Sequence, residues 1–312
     1  MKVAMVGAGG VGGYFGGHLA RAGVDVCFIA RGAHLAAIRE RGLEITGPEG
    51  SFLVHPAKAT ADAAELGVVD VVFVAVKTWQ LPELAPKLRP LVGPGTSVIP
   101  LLNGIDAPAQ LAEALGAPHV LGGLCAVLSF VARPGVVEHL AAPASLSFGE
   151  LRGGRSERVE AIRHLMVSAG LTATTPDDIT AAMWKKFAFI TSFGGVGGVT
   201  RAPAGAIRGI PATRELLQRA VAEVVAVGRA RGVAFPEDQV AQTLAFVDGL
   251  PPGSFASLPR ELFAGKRTEL DAWNGAVVRL GREAGVATPL HDFIYRSLLP
   301  WELRARGEVQ FS

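Results

Sequence analysis

The N-terminal half of the chain alternates short apolar runs with stretches of helical periodicity. Residues 2–6 form an apolar run that stops at Gly7, residues 14–22 have helical spacing, and residues 24–30 are apolar again. Residues 34–41 predict a short helix, and 43–46 and 51–54 predict brief extended pieces. The run at 68–76, VVDVVFVAV, is nearly continuous in β-branched residues, as in a strand buried on both faces of a parallel sheet. Helical patterns at 78–88, 107–115 and 157–168 then alternate with extended patterns at 97–102, 120–128 and 171–174. Between 136 and 149, VVEHL and SLSFG, separated by Ala and Pro, predict an antiparallel hairpin at the edge of that sheet. After Asp177 and Asp178 the pattern changes to helix almost throughout, at 211–231, 236–246, 269–283 and 289–306. The glycine-rich stretch 193–206 predicts a bend. The expected architecture is a doubly wound α/β domain over 1–175 followed by an all-α domain over 176–312.

Composition narrows the function. A chain of 312 residues with 49% hydrophobic and 19% charged residues has ample material for two buried cores. A formal charge of +2 gives no basic field for nucleic acid, so the expected partner is a small molecule. Seven glycines between Gly7 and Gly17 exclude a signal-peptide helix there, and Pro118, His119, Gly122 and Gly123 interrupt the longest uncharged stretch, so no membrane span is expected. Cys27 and Cys125 both lie in apolar segments, which argues against a disulfide and fits a reducing cytoplasm. The seven histidines lack paired ligand spacing, so no metal is expected. An apolar helical domain of this size often buries surface against a copy of itself, which leaves a homodimer open, but the sequence does not fix the oligomeric state.

The turn after residues 2–6 reads GAGGVG: Gly7, Ala8, Gly9, Gly10, Val11, Gly12. Set between a strand and a helix, this is the Rossmann dinucleotide fingerprint, in which glycines allow a tight turn and close approach of backbone to a pyrophosphate. The following helix adds unpaired N–H groups and a positive dipole end. The second strand ends at Arg31 rather than at an acid, and no acid follows until Glu40, so Arg31 favours the 2'-phosphate of NADP(H) over a free ribose hydroxyl.

Ligands of open α/β sheets sit beyond the carboxyl ends of the strands, where Arg31, Lys77 and Asn103 fall. Lys77 and Asn103 can also serve as cap or turn residues. In MWKKFAFI, Lys186 shares the apolar face of Met183, Phe187 and Ile190, while Lys185 points elsewhere. A lysine so placed either snorkels to water or is paired. In KRTELDAWNG, Thr268 and Asp271 fit a capping box, and Glu269 complements the helix dipole.

The sequence resembles the ketopantoate reductases, or 2-dehydropantoate 2-reductases, over nearly its whole length. GAGGVG with Arg31, VKTWQ, LLNG, PGVVEH, WKKFAFI and GKRTELDAWNG carry the resemblance, in the family's order and spacing. It implies NADPH-dependent reduction of 2-dehydropantoate to pantoate. Lys186 then corresponds to the catalytic proton donor. Glu269 corresponds to an acid bonded to cofactor and substrate, and Lys77 and Asn103 to cofactor- and substrate-facing groups. Ser257 corresponds to a hydroxyl that holds the substrate carboxylate. Where the pantoate-forming pattern has asparagines, this chain has Ile190 and Gly194. Two alternatives follow: a reductase of another 2-oxo acid with a more apolar pocket, or an NADP-binding protein without catalysis.

Overall fold

The computed structural model describes residues 1–311, with side chains for all of these except 141–143. Ser312, the last residue of the expected helical domain, lies outside the described residues. The chain forms two compact units, one of residues 1–102 with 106–180, the other of residues 103–105 with the chain from Ala181 onward.

The first unit contains β1 (Lys2–Val6), α1 (Gly10–Arg21), β2 (Asp25–Ile29), α2 (Gly32–Arg41), β3 (Leu43–Thr46), β4 (Phe52–Val54), β5 (Lys58–Thr60) and β6 (Val71–Val74). It continues with α3 (Leu81–Leu84), β7 (Ser97–Pro100), α4 (Ala107–Leu115), β8 (Gly122–Arg133), β9 (Val136–Gly149), α5 (Glu157–Ser168) and β10 (Thr172–Thr174). Strands β5-β2-β1-β6-β7 form an all-parallel sheet in that order, with helical crossovers, the arrangement of a Rossmann-like fold. Every residue of β6 and β7 is buried, as their β-branched composition requires.

The hairpin expected within 136–149 does not form; that segment is the single strand β9, which lies at the centre of a second sheet. There β8 and β9 pair antiparallel, and β9 carries β3 and β10 as parallel neighbours, with β4 beyond β3. The turn falls at Pro134 and Gly135, and β9 runs unbroken through the Ala-Pro pair expected to separate two strands. Alternation cannot reveal this, because edge strand and separate sheet have the same period.

The second sheet explains the glycine content of α1, which is packed on two sides. A Cβ at Gly16 would lie 2.6 Å from the Phe28 ring and 3.2 Å from Met5 of the parallel sheet. One at Gly13 would lie 2.6 Å from Val137, and one at Gly17 2.8 Å from Ile45, both of the second sheet. Two stripes of glycine at i, i+4 spacing therefore let one helix approach both sheets. The helix expected at 78–88 is broken into 3₁₀ turns around the single turn of α3, since Pro82, Pro86 and Pro90 remove the donors a longer helix needs.

The second unit is all-α: α6 (Ile179–Thr200), α7 (Ala204–Gly209), α8 (Pro211–Ala230), α9 (Gln239–Asp248), α10 (Ser257–Phe263), α11 (Ala276–Glu283) and α12 (Pro289–Ala305). The bend expected from residue 193 is absent up to Thr200; α6 is continuous across those glycines. They are close-contact positions within the helix. A Cβ at Gly194 would meet Trp273 at 2.7 Å, at Gly195 the Asn274 amide at 2.5 Å, and at Gly198 Leu298 at 2.9 Å. Packing against neighbours on these sides offsets the glycine cost, about 1 kcal/mol each, and makes α6 the central helix of this core. The helix expected from residue 269 begins with a π-helical turn over Asp271–Gly275 before α11. Among the described residues no helix is long and apolar enough to cross a membrane.

Candidate functional site

In the first unit, Gly7 joins β1 to α1 at φ +93, with its hypothetical Cβ 2.6 Å from the Ala75 carbonyl oxygen, so only glycine fits. At Gly12 a Cβ would fall 1.9 Å from the Gly7 carbonyl oxygen, and at Gly10 it would fall 2.3 Å from that of Ser129. Gly9 is different: nothing lies within 4 Å of its Cβ position, and as N-cap of α1 it offers no side chain to the first-turn N–H groups. The first turn of α1 carries no acid either. This is a helix start left for an external anion.

The turn is held by a residue that sequence reasoning missed. The Gly135 N–H donates to His34 Nδ1 at 3.1 Å, which puts the imidazole proton on Nε2, and Nε2 donates to the Ala8 carbonyl at 2.8 Å. His34 thus ties the glycine turn to the β8–β9 hairpin. PGVVEH marks that hairpin turn in the sequence, but nothing in it points to His34.

Arg31 is exposed as N-cap residue of α2, two positions beyond β2; its carbonyl accepts from the Leu35 N–H at 3.3 Å, and its side chain forms no hydrogen bond or ion pair among the described residues. Lys77 follows β6, half-buried; its N–H donates to Gln80 Oε1 at 3.1 Å and its ammonium lies 5.6 Å from the centre of the Trp79 ring.

In the second unit, Lys186 and Asn103 come together although 83 positions separate them: Lys186 Nζ donates to Asn103 Oδ1 at 2.9 Å. The lysine is half-buried, between buried Met183 and Phe187, and Lys185 is exposed. Of the two arrangements open to Lys186, pairing is the one realised. Gly104 at φ +96 turns the chain next to Asn103 and packs near the Ala272 carbonyl.

Glu269 is buried at 4% exposure, just before the π-helical turn, where its carbonyl accepts from the Trp273 N–H at 3.0 Å. The expected capping box does not form. Thr268 gives both its N–H and its hydroxyl to Glu302 Oε2, each at 2.7 Å, and its oxygen accepts from the Leu270 N–H at 3.2 Å. Asp271 turns to Tyr295 at 2.8 Å and to Arg306. Burial, reinforced by this bond to Asp271, pushes the Tyr295 phenol up to about 12. Glu302 is fully buried and also accepts from Arg306 Nε at 2.8 Å, which satisfies the charge that burial exposes to a low dielectric. Glu302 therefore supports the backbone beside Glu269. Its distance along the chain left no local signal.

Behind the π-helical turn a second polar group is sealed in the core. His291, fully buried, donates from Nε2 to the Ala220 carbonyl at 3.0 Å, so Nδ1 accepts from Asn274 Nδ2 at 3.0 Å. Burial lowers the imidazole from the usual 6.5 to about 4, against the bond to Ala220.

Ser257 is the first residue of α10, half-buried, ahead of buried Leu258 and Pro259. Ile190, at 9% exposure, and Gly194 occupy the asparagine positions of the pantoate-forming pattern. The space beside Gly194 is filled by the Trp273 indole, so an asparagine there would collide with it.

A glycine-lined, uncapped helix start on a Rossmann-like sheet, and a helical unit that carries a paired lysine and a buried acid, are features of a dinucleotide-dependent oxidoreductase. Residues 3–153 match the family described as ketopantoate reductase PanE/ApbA, and residues 178–300 match its C-terminal part, so the chain belongs to the ketopantoate reductase family. Among its relatives is an uncharacterized oxidoreductase, YkpB, of Bacillus subtilis, 31% identical, with 97% of this chain and 99% of that one covered. A 2-dehydropantoate 2-reductase of Mesorhizobium japonicum is 32% identical, with 94% and 95% covered. The crystal structure of a PanE/ApbA family ketopantoate reductase from Ralstonia eutropha superposes with a TM-score of 0.89 at 28% identity, covering 98% of this chain and 100% of that one. D-mandelate dehydrogenase with NADH and anilino(oxo)acetate shares the fold at 22% identity and a TM-score of 0.87, covering 98% and 99%.

Proposed function

We propose that the chain reduces a small 2-oxo acid with NADPH, and that this acid is 2-dehydropantoate, giving (R)-pantoate. The observation that carries this reading is the hydrogen bond from Lys186 to Asn103. An ammonium has three donors and no acceptor. Spending one on Asn103 fixes the direction of the other two, and the ammonium keeps a proton to give.

The residues present fit a dinucleotide. Gly9 leaves open space at an uncapped helix start, and Arg31 is an exposed cation with no carboxylate partner. Gly7, Ala8, Gly9, Gly10, Val11 and Gly12 would hold the pyrophosphate, and Arg31 the 2'-phosphate. Lys77, Asn103 and Glu269 would hold the remainder. When bound, NADPH supplies the hydride.

The chain's own part is polar. Lys186 donates a hydrogen bond to the substrate carbonyl oxygen and then the proton, removing the negative charge that develops there. Ser257 donates to the substrate carboxylate. Glu269, kept in place by the Thr268–Glu302 bonds, accepts from a substrate hydroxyl. Two free thiols, Cys27 and Cys125, suit a reducing cytoplasm.

A second reading keeps the reaction and changes the substrate. Ile190 and the Trp273 ring beside Gly194 replace amide groups with apolar surface, which favours a 2-oxo acid with a bulkier apolar side chain. NADPH oxidation measured over a panel of 2-oxo acids separates the two by kcat/KM. In the same assay Lys186→Ala is expected to lower kcat by about two orders of magnitude or more, the scale of lost general acid catalysis. NADPH affinity should stay at the parent value. Equal turnover in mutant and parent removes Lys186 from the mechanism, and no turnover with any 2-oxo acid removes the reductase reading.

A further inference from the structure

The C-terminal end of α6, the end of α10 and the last turns of α12 bound an open cavity of about 560 Å³ at the surface of the helical unit, where Arg201, Phe263, Trp301 and Arg304 are exposed. Lys186 lies nearly four turns away along α6, so this is a different place from the lysine's surroundings. Arg201 and Arg304 are its charged lining residues, and none of its lining residues is acidic. Phe263 and Trp301 are its aromatic walls, and Ser297 adds a hydroxyl.

Both guanidiniums lie over rings. Arg201 Cζ lies 5.0 Å from the centre of Phe263, and Arg304 Cζ lies 5.8 Å from that of Trp301 and 5.1 Å from that of Phe311. Cation–π attraction holds a guanidinium without spending its N–H groups on an acceptor, and those groups match phosphate and carboxylate. Among the described residues neither arginine has a carboxylate partner.

The backbone supplies an independent observation. Arg201 has φ 55, and among the described residues it alone is in the left-handed region without being glycine. Directly after a helix that position favours glycine, and another residue costs about 1 kcal/mol there. The arginine stays in spite of the helix end, and its side chain lines the cavity.

We propose that this cavity binds an aryl phosphate monoester, a phosphate carried directly on an aromatic ring. The phosphate dianion bridges the edges of Arg201 and Arg304, and the flat ring lies on the aromatic wall. Two cations balance the two charges of the phosphate, and the volume is that of a small-ligand site.

The test uses the full chain without cofactor or 2-oxo acid, so its outcome does not depend on the reductase reading. Calorimetric titration with phenyl phosphate should show saturable binding of one molecule per chain, with inorganic phosphate and benzyl alcohol each weaker. Arg304→Gln and Arg201→Gly should each weaken phenyl phosphate by about tenfold or more, the scale of a lost charge-assisted hydrogen bond. Arg201→Gly relieves the backbone, so its Tm should not fall, which separates lost binding from lost folding. Arg31→Ala should bind phenyl phosphate like the parent. The proposal is overturned by no binding, by equal affinity in the parent and both cavity variants, or by binding that is lost in Arg31→Ala instead. A dimer that dissociates in Arg304→Gln without ligand would give the cavity to a second copy of the chain and overturn it as well.

Discussion

Acid should weaken this fold through His291. The unfolded chain takes up a proton on this imidazole as pH falls through 6.5, whereas the folded chain resists until about 4, because the ring is buried and its Nδ1 is committed to Asn274. Between those values the unfolded state binds more protons, so stability falls with pH across that window. Full titration removes about 3 kcal/mol, and about 2 kcal/mol is gone by about pH 5. Many carboxylates titrate nearby in pH, so the measurement has to isolate one group. Urea denaturation of the parent and of His291→Gln, at about pH 7.5 and about pH 5, provides a difference of differences. The variant loses some stability at both values, and that part cancels. The parent's advantage over the variant should shrink by about 2 kcal/mol on acidification. An advantage that stays constant to within about 0.5 kcal/mol would refute the reasoning and place the imidazole in contact with water.

Three further outcomes are expected. Gly194→Asn should cost about 1–3 kcal/mol by overpacking against Trp273, and adding Trp273→Val should recover part of it; urea unfolding of single and double variants reads both. Glu302→Gln should cost about 1–3 kcal/mol by removing the charge from the acceptor shared by Thr268 and Arg306, which keeps Asp271, and it should lower turnover through the Thr268–Glu269 segment more than Lys185→Ala does. Arg31→Ala should weaken NADPH about tenfold or more while leaving NADH unchanged; an unchanged NADPH to NADH ratio would place the 2'-phosphate elsewhere.

The features legible in the sequence were those written locally. The glycine turn, Arg31 at the end of β2 and the change to helices after Asp178 each depend on neighbours a few positions away. Lys186 was marked by its apolar face, but its partner Asn103 could not be read from spacing across 83 positions. The same holds for His34, whose importance comes from Gly135, and for Glu302, which supports Thr268 from 34 positions away. Glycine misled most. In residues 193–200 it signalled a bend by local propensity, while the side chains that close on α6, Trp273, Asn274 and Leu298, come from far along the chain. Residues 136–149 were legible as extended but were divided into two strands at Ala and Pro, and their place at the centre of a sheet was not legible, because β3 and β10 join β9 from opposite ends of the unit.

The glycines of α1 have a consequence for the order of assembly. Five of its twelve residues are glycine, which costs about 5 kcal/mol of helix stability relative to alanine. A helix so short is marginal in water even with a favourable sequence. Alone, this segment is a coil, and it becomes a helix only when both sheets are present to clamp it. The uncapped helix start is therefore among the last features of the unit to form. A chain that has built one sheet without the other has no place to put a dinucleotide, and amide hydrogens of α1 should exchange whenever either sheet opens, before the whole unit unfolds.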